Sequence, residues 1–443
     1  MATFTIQELL STTGGTLYAP ADFGDPIVTG MTIDTRTLTS GMGYVAIRGE
    51  TFDGHRFIPD AMEKGAVLSI SDTETPYPHI RVQNTVLAYQ NIAKMHRERF
   101  DLPVICITGS VGKTTTKEMV KAVLSTTLNT HATVGNLNNQ TGVPTTVLAI
   151  NESHQVSVME LGTNHFGEID AIARVTQPTI CLFTNIGEAH IEFFGSRQGI
   201  FRGKTEMLRH MRPGGTIIAN GDDDLLRTIP HAITYGLSEG VQVRAVDITE
   251  NGLDCVSFTA ELFGKRLPVT LHVAGRHMVQ NALAALIAAH LLHVPDEAAL
   301  SALSAFQPGA GRSDILRTAR FTIIDGSYNC NPTSMEAALD VLKNASGRRV
   351  CIFGDMLELG SDAPAFHARI GAYARQCGID KLITVGSLAK YAADTDSVSF
   401  DTVDALLDAL PSLLTDGDTI LVKASFGMRL KRVVDAIRTG FQA

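Results

Sequence analysis

A glycine loop at residues 109–115 carries the clearest chemistry in this chain. Gly109-Ser110-Val111-Gly112-Lys113-Thr114-Thr115 follows an apolar, β-branched run and precedes a helix-like segment. Glycines let backbone N–H groups turn toward an anion, and a helix N-terminus adds partial positive charge. Lys113 can neutralise the β- and γ-phosphates of a nucleotide, and the Thr114 hydroxyl can ligate Mg²⁺. The pattern predicts ATP or GTP binding, with two residues between the glycines where the usual phosphate loop has four. A glycine turn with a solvated lysine is the alternative.

Two later apolar runs end in side chains that could bind a metal ion. Glu160 closes the run at 156–160, and His190 follows the run at 179–184. In parallel α/β sheets, ligands bind beyond the carboxyl ends of the strands. We therefore expect Glu160, His190 and the Thr114 hydroxyl to meet at Mg²⁺, with Mn²⁺ accepting the imidazole more readily. Taken alone, Glu160 and His190 are each more typical of structural or solvated residues.

Three other segments are ambiguous on their chemistry alone. The amide-rich stretch 135–144, with Asn138 and Asn139, could fix polar groups of a substrate or form a hydrogen-bonded loop. Lys204 lies where a helix is expected and is typical of a surface lysine. Asp355 and Glu358 follow an apolar run and favour helix capping over ligand contact.

The elements that must position these groups predict an α/β chain of three domains. A chain of 443 residues is too long for one core. We place the domains at 1–97, 98–312 and 313–443. Alternating strands and helices predict a mostly parallel sheet in the second and a small doubly wound sheet in the third. The predicted strands are 43–47, 66–70, 104–107, 156–160, 179–184, 215–219, 322–325, 349–354, 382–386 and 419–422. The predicted helices are 56–64, 85–100, 117–124, 278–292 and 428–439, with two more that begin at 334 and 363.

Composition excludes several classes of protein. The net charge of −9 argues against nucleic acid as a partner, since phosphate binding needs a basic footprint. No apolar stretch approaches the roughly 20 residues that span a bilayer, and the N-terminus lacks the pattern of a signal peptide. We therefore expect a cytosolic protein without membrane insertion, and a monomer. Its six scattered cysteines indicate reduced, mostly buried thiols.

Taken in order, these segments resemble the Mur ligase family along essentially the whole chain. The short phosphate loop at 108–115 is of the family's type, and the central motifs at 135–144, 159–162 and 184–190 are similar to it. The nucleotide-contact segments 275–281 and 311–312 and the sugar-binding segments 34–36 and 49–55 are similar as well. The segments 327–332 and 354–360 resemble the branch that adds a dipeptide.

The resemblance implies a fold and a reaction. It implies a small α/β UDP-sugar-binding domain, a central P-loop parallel-sheet ATPase domain, and a C-terminal Rossmann-like domain that binds the incoming dipeptide and closes over the nucleotide. ATP would phosphorylate the terminal carboxylate of UDP-N-acetylmuramoyl-tripeptide. The amine of D-Ala-D-Ala would then attack the acyl phosphate, a step of peptidoglycan precursor synthesis.

The resemblance also assigns roles to single residues. Lys113, Lys204, His190 and Glu160 would be catalytic. Thr114, Glu160, His190 and Lys204, the last as a CO₂-derived carbamate, would hold Mg²⁺. Gly109, Ser110, Val111, Gly112, Lys113, Thr114, Thr115, Asn281 and Arg312 would contact ATP. Thr35, Arg36, Asn138, Asn139, Tyr328, Asn329 and Asn331 would contact the other substrates.

Two positions depart from the family pattern. Gly326 stands where an acidic residue is usual, and Asp325 could substitute for it. Lys423-Ala424-Ser425-Phe426 replaces a pattern close to Lys-Gly-Ser-Arg, so a guanidinium expected near the incoming carboxylate or phosphate is missing.

Several alternatives stay open. The acceptor could be D-Ala-D-lactate or D-Ala-D-Ser, and the third residue of the tripeptide could be diaminopimelate or lysine. A folylpolyglutamate or cyanophycin synthetase-like ligase, or a P-loop switch that hydrolyses nucleotide without ligation, are the alternative functions.

Overall fold

The structure, a computed structural model, describes residues 2–49, 52–309, 311–312 and 314–441. Glu50, Thr51 and Ala310, which belong to segments considered above, lie outside the described residues. The chain divides into two compact units. The first comprises Met1–Ile107, Leu128–Cys181 and Thr205–Thr216, and the second comprises Thr108–Thr127, Leu182–Lys204 and Ile217–Ala443. The described residues form three sheets, and each sheet lies within one of the three predicted domains, whose exact limits stay a prediction.

The first sheet has five short strands in the order β1-β5-β4-β3-β2. Only the β1–β5 pair is antiparallel among these neighbours. A reciprocal hydrogen-bonded cap between Thr5 and Glu8 begins α1, and the Asn84 side chain begins α3. The strands are β1 (Thr16–Tyr18), β2 (Met31–Thr32), β3 (Gly43–Val45), β4 (Ser69–Ser71) and β5 (His79–Arg81); the helices are α1 (Ile6–Thr13), α2 (Ile58–Glu63) and α3 (Thr85–Arg97).

The second sheet has nine strands in the order β14-β13-β12-β11-β10-β9-β6-β8-β7. The pairs β6–β8, β7–β8, β10–β11 and β11–β12 are parallel, and the β12–β13 and β13–β14 pairs are antiparallel. Its strands are β6 (Val104–Thr108), β7 (Thr130–Ala132), β8 (Val156–Glu160), β9 (Ile180–Phe183), β10 (Thr216–Asn220), β11 (Ile233–Gly236), β12 (Val243–Asn251), β13 (Cys255–Leu262) and β14 (Lys265–Leu271). Its helices are α4 (Lys113–Leu124), α5 (Gly142–Leu148), α6 (Glu168–Thr176), α7 (Ile191–Phe194), α8 (Arg197–Thr205), α9 (His277–Leu291) and α10 (Asp296–Ser304).

The third sheet has six strands in the order β15-β16-β20-β17-β18-β19, and only the β15–β16 pair is antiparallel. Neighbouring residues of one strand enter different apolar clusters: Ile323 packs in one and Ile324 in the other. Both faces are therefore covered, as in a doubly wound fold. The strands are β15 (Asp314–Arg317), β16 (Thr322–Gly326), β17 (Arg349–Gly354), β18 (Lys381–Val385), β19 (Val398–Phe400) and β20 (Thr419–Lys423); the helices are α11 (Pro332–Lys343), α12 (Ala363–Gln376), α13 (Val403–Leu413) and α14 (Lys431–Arg438).

The strands β11 to β14 are the largest feature that the sequence analysis missed. Continuous apolar runs are typical of parallel strands with two covered faces. β13 instead buries every second residue, so its signal is alternation of apolar and polar side chains. Val256, Phe258, Ala260 and Leu262 form its buried face.

Several element limits differ from prediction for local reasons. α4 begins at Lys113, directly after Gly112, whose left-handed backbone turns the chain from the loop into the helix. α11 begins at Pro332 because Asn331 caps it. The predicted final helix is shorter, since Arg429 has a φ of 56° and separates α14 from the 3₁₀ turn Phe426–Met428.

Two other expectations are confirmed. Helix α9 is buried along almost its whole length. All six cysteines are free thiols, and five of them are buried. Among the described residues, no helix is both long enough and apolar enough to cross a bilayer.

Candidate active site

The phosphate loop, residues 109–112, joins buried strand β6 to helix α4. Its two glycines are required by geometry. Gly112 has a φ of 82°, which L-residues with side chains rarely adopt. A Cβ on Gly109 would lie 1.9 Å from the Thr184 hydroxyl. Lys113 Nζ donates to the Gly109 carbonyl at 2.8 Å, so its ammonium group lies back along the loop.

Residues 184–187 brace this loop from the next strand end. The Ser110 N–H donates to the Asn185 carbonyl at 2.9 Å, and the Val111 N–H donates to Asn185 Oδ1 at 2.8 Å. The Asn185 amide nitrogen and the Thr184 hydroxyl donate to the Val111 carbonyl at 3.1 and 2.6 Å. The Gly187 N–H donates to Ser110 Oγ at 2.9 Å. These bonds leave the loop little freedom to change shape.

Asn281 lies against the same loop, and its predicted contact with the nucleotide stays a prediction. The Thr116 hydroxyl donates to Asn281 Oδ1 at 3.1 Å. A Cβ on Gly112 would lie 3.1 Å from that same oxygen. The neighbouring Gln280 donates to Asp222 at 2.7 Å, which fixes α9 to the loop after β10.

Lys204 is buried, so the surface interpretation from composition is wrong. It lies near the end of α8 with 1% of its surface exposed. Burial lowers its pKa well below the usual value, and the charge of Lys113 lowers the pKa further. The shift makes the neutral amine easier to form than it is for an exposed lysine.

His190 lies directly before α7 and contacts Glu358, a residue of the loop after β17. Its Nδ1 is hydrogen-bonded to the Glu358 carboxylate. Both residues occupy the left-handed backbone region, with φ of 60° and 62°. Strained backbone of this kind is concentrated at functional sites.

Glu160 and Asn138 belong to the first unit and contact one another. Glu160 is 2% exposed, and its Oε1 accepts from Asn138 Nδ2 at 2.7 Å. The Gly162 N–H donates to the Asn138 carbonyl at 2.8 Å, and a Cβ on Gly162 would lie 2.9 Å from the Asn138 side chain. The neighbouring Asn139 Oδ1 accepts at 2.8 Å from the N–H of Gly142, the first residue of α5.

The two predicted substrate residues near the N-terminus lie in an exposed turn. The Arg36 guanidinium is 86% exposed and pairs with Asp34 through two nitrogen atoms. This pairing lowers the pKa of Asp34 and orients the guanidinium. The Thr35 carbonyl accepts from Lys64 Nζ at 3.1 Å.

Tyr328 lies between a cation and an aromatic ring. The Arg312 guanidinium carbon is 4.0 Å from the centre of the Tyr328 ring, and the Phe426 ring centre is 6.0 Å away on a tilted plane. Phe426 is 72% exposed. The Arg312 guanidinium and the Phe426 ring therefore both lie beside the Tyr328 ring.

Lys423 and Asp325 hold the loop that carries Tyr328. The buried Lys423 donates to the carbonyls of Asn329 at 2.8 Å and Gly326 at 3.4 Å. Asp325 accepts from Ser327 Oγ at 2.6 Å and from Lys431 Nζ at 3.0 Å. A Cβ on Gly326 would lie 3.3 Å from the Lys423 stem, so a side chain at this position would require that stem to shift by a few tenths of an ångström.

The remaining predicted residues of this loop serve its own structure. The Asn329 side-chain oxygen accepts from the Cys330 N–H at 2.9 Å. Asn331 Oδ1 caps α11 through the Ser334 N–H at 2.9 Å. Asp355, in the loop after β17, accepts from three backbone N–H groups at residues 387–389 rather than capping α12.

Within the described residues, no three His, Cys, Asp or Glu side chains cluster as a metal-ion site. Two of the four predicted magnesium ligands, the Thr114 hydroxyl and a carbamate on Lys204, are not His, Cys, Asp or Glu side chains and fall outside such a cluster. The ligand set stays a prediction.

Sequence reasoning missed the residues that connect these segments. Asn185 and Glu188 lie inside the segment 184–190 but were given no role, although polar residues at a strand end signal a binding loop. Arg369 contacts Glu188 at 3.2 Å from 181 positions away, and no local pattern marks it.

Comparisons with known proteins give a consistent result. Family models match residues 27–104 (Mur ligase family, catalytic domain), 107–289 (Mur ligase middle domain) and 311–426 (Mur ligase, glutamate ligase domain). The UDP-N-acetylmuramoyl-tripeptide–D-alanyl-D-alanine ligase of Bacillus subtilis is 35% identical over 97% of both chains. The protein of that name from Synechocystis is 38% identical over 91% of this chain and 90% of its own.

Solved structures agree along the same length. MurF from Acinetobacter baumannii superposes with a TM-score of 0.93 at 33% identity and covers 99% of both chains. MurF ligase from Thermotoga maritima in complex with ADP has a TM-score of 0.86 at 25% identity, covering 94% of this chain and 98% of its own. This chain therefore belongs to the Mur ligase family of ATP-dependent, ADP-forming amide ligases and has the family's three-domain fold.

Proposed function

We propose that this chain joins D-Ala-D-Ala to UDP-N-acetylmuramoyl-tripeptide in a reaction that converts ATP to ADP and phosphate. The names of its relatives state this ligation for those proteins. Two such relatives are 35% and 38% identical over more than nine-tenths of the chain. The observation that supports the proposal most directly is the phosphate loop, which Thr184 and Asn185 brace at Val111, two residues before Lys113. This arrangement suits activation of a carboxylate by phosphoryl transfer.

The proposed reaction has two steps. A terminal carboxylate oxygen of the tripeptide attacks the γ-phosphorus of ATP, and ADP leaves. The dipeptide amine then attacks the acyl carbon, loses a proton, and expels inorganic phosphate as the amide bond forms. Lys113 would offset the charge on the transferred phosphoryl group, and the loop N–H groups would orient the nucleotide.

Lys204 would act as a carbamate. Its lowered pKa favours the neutral amine, which attacks CO₂, forms an N–C bond and releases a proton. The carbamate product carries a negative charge, whereas the amine that attacks CO₂ is neutral. Lys113, whose charge already influences Lys204, would stabilise the resulting anion.

Mg²⁺ would be held by Thr114, Glu160, His190 and the Lys204 carbamate. The set fits the ion because three of the four ligands are oxygen donors, and Glu160 is a buried carboxylate. When bound, the ion would supply positive charge to the phosphates. His190 is the ligand that Mn²⁺ would accept more readily.

The third sheet would contribute the acceptor site. Tyr328 and Asn329 would line the binding site of the dipeptide. Asn281 and Arg312 would contact the nucleotide instead. Asn331, which caps α11, would act on substrate through the position that it gives this loop. Asn138, Asn139, Thr35 and Arg36 would contact the UDP-sugar peptide.

The test measures phosphate release from ATP and UDP-N-acetylmuramoyl-tripeptide, first without and then with D-Ala-D-Ala. We expect release to depend on the dipeptide and to equal amide formation. Release that is indifferent to any amine acceptor would contradict ligation and favour a nucleotide-hydrolysing switch. D-Ala-D-lactate and D-Ala-D-Ser in the same assay define the acceptor.

A further inference from the structure

One loop contacts both the phosphate loop and the helices of the third sheet. We call residues 184–192 the coupling loop. Its first half braces the phosphate loop through Thr184, Asn185 and Gly187, as described above. Its second half contacts α11, α12 and the turn before α12. The coupling loop thus joins the nucleotide site to the part of the chain that follows β16.

Glu188 makes the central contact of the second half. One carboxylate oxygen accepts from the Thr333 hydroxyl on α11 at 2.9 Å, and the other accepts from Arg369 on α12 at 3.2 and 3.3 Å. The Glu188 side chain is 16% exposed, and that of Arg369 is 42% exposed. Glu336 on α11 also pairs with Arg369 Nε at 3.3 Å, which orients the guanidinium toward Glu188.

Close packing shows that this contact is built into the chain. A Cβ on Gly187 would lie 2.5 Å from the Thr333 hydroxyl oxygen, so a side chain there would separate the loop from α11. The Glu192 N–H donates to the Glu358 carbonyl at 3.3 Å, beside the His190–Glu358 pair. The backbones of His190 and Glu358, one on each side of that contact, both have the positive φ of the left-handed region.

We propose that Glu188 is a positioning residue that latches the third sheet and its helices against the nucleotide site. It would act through Arg369 and Thr333, without touching the reacting atoms, and would hold the dipeptide acceptor in register with the acyl phosphate. The inference rests on the proposed function, because it concerns the presentation of the second substrate.

The two halves of the coupling loop use different atoms, so their roles are separable. Glu188→Gln removes the negative charge that pairs with Arg369 but keeps an oxygen that can accept a hydrogen bond from the Thr333 hydroxyl. The brace formed by Thr184, Asn185 and Gly187 stays intact. A latch predicts a change in acceptor use with nucleotide binding preserved, whereas simple damage to the loop changes both.

The experiment compares Glu188→Gln, Arg369→Met and the double variant in the full-length enzyme. The readouts are the Kd for ATP and the KM and kcat for D-Ala-D-Ala. We expect each single variant to raise the dipeptide KM about tenfold and to leave the ATP Kd within about twofold, as for loss of one partly buried charge pair. The double variant should be no worse than either single one, because both remove the same interaction.

Arg375→Met is the matched control, since Arg375 lies on the same helix and pairs with Asp394 at 3.4 Å. It should leave the dipeptide KM unchanged. An unchanged dipeptide KM in Glu188→Gln overturns the latch, as do equal losses of ATP and dipeptide affinity or multiplicative effects in the double variant. Absence of dipeptide-dependent turnover in the unaltered enzyme would instead refute the proposed function.

Discussion

The loop after β6 and the loop after β16 occupy comparable positions but are held in different ways. Each follows a strand that is buried and precedes a helix, α4 in one case and α11 in the other. The phosphate loop depends on glycine backbone and on the backbone and short side chains of residues 184–187. The loop at 327–331 depends on two long side chains, Lys423 and Lys431, from about 100 positions later.

This difference predicts which of the two loops should tolerate substitution. A glycine with a φ of 82° has few substitutes, so the phosphate loop keeps its pattern. The other loop is fixed by Lys423 and by the Asp325–Lys431 pair. We therefore expect this loop to tolerate a substitution at the exposed Phe426 as long as those two contacts remain.

The largest effect should come from the phosphate loop. Lys113→Ala should lower kcat for dipeptide-dependent ADP formation by about 10³-fold, because it removes a preorganised positive charge from the transferred phosphoryl group. Steady-state kinetics with saturating substrates measure it. Lys121→Ala, an exposed lysine on the same helix, is the control and should retain full activity. Turnover retained in Lys113→Ala would refute the phosphate-loop assignment.

The next effect should come from Lys204. Lys204→Ala should lower kcat by about 10²-fold, because it removes the carbamate that the account places beside Lys113. Acetate or formate should restore part of the activity by replacing the missing carboxylate. The same salts should not rescue Lys113→Ala. An unimpaired Lys204→Ala enzyme would remove the carbamate from the account.

A smaller effect should follow from weakening the brace. Asn185→Ala removes two hydrogen bonds to Val111, each contributing about 1 kcal/mol, and should raise the Kd for ATP about tenfold. Isothermal titration with ATP checks the change directly. Asn344→Ala, an exposed amide that contacts Glu250, should leave ATP binding unaltered. If ATP affinity is the same in Asn185→Ala, the loop keeps its shape without the brace.

The smallest effect should come from the tolerant loop. Phe426→Arg restores the family's guanidinium at an exposed position, so unfolding free energy should change by about 0.5 kcal/mol or less. We expect the dipeptide KM to fall about threefold and the ATP KM to stay constant. A loss of ATP affinity as large as that of Asn185→Ala would contradict the contrast between the two loops.

Prediction from sequence succeeded where a local pattern determines the structure. The strand–loop–helix at 104–124 needs only glycine geometry and continuous apolar residues, so its fold could be predicted, while the nucleotide contacts of its residues stay a prediction. The burial of Lys204 was not readable, because its neighbours are brought together by the fold. Glu188 and Arg369 form a contact across 181 positions, which no local spacing encodes. The alternation of apolar and polar side chains in strand β13 could have predicted it, but continuous apolar runs, the pattern used for the other strands, do not occur there.

The central claim is that the chain activates the tripeptide carboxylate as an acyl phosphate. The most direct measurement uses UDP-N-acetylmuramoyl-tripeptide labelled with ¹⁸O in its terminal carboxylate, together with ATP and D-Ala-D-Ala. The account predicts that each molecule of inorganic phosphate carries one ¹⁸O atom, because the phosphate leaves with an oxygen of the former carboxylate. Unlabelled phosphate formed alongside the amide product would contradict the account.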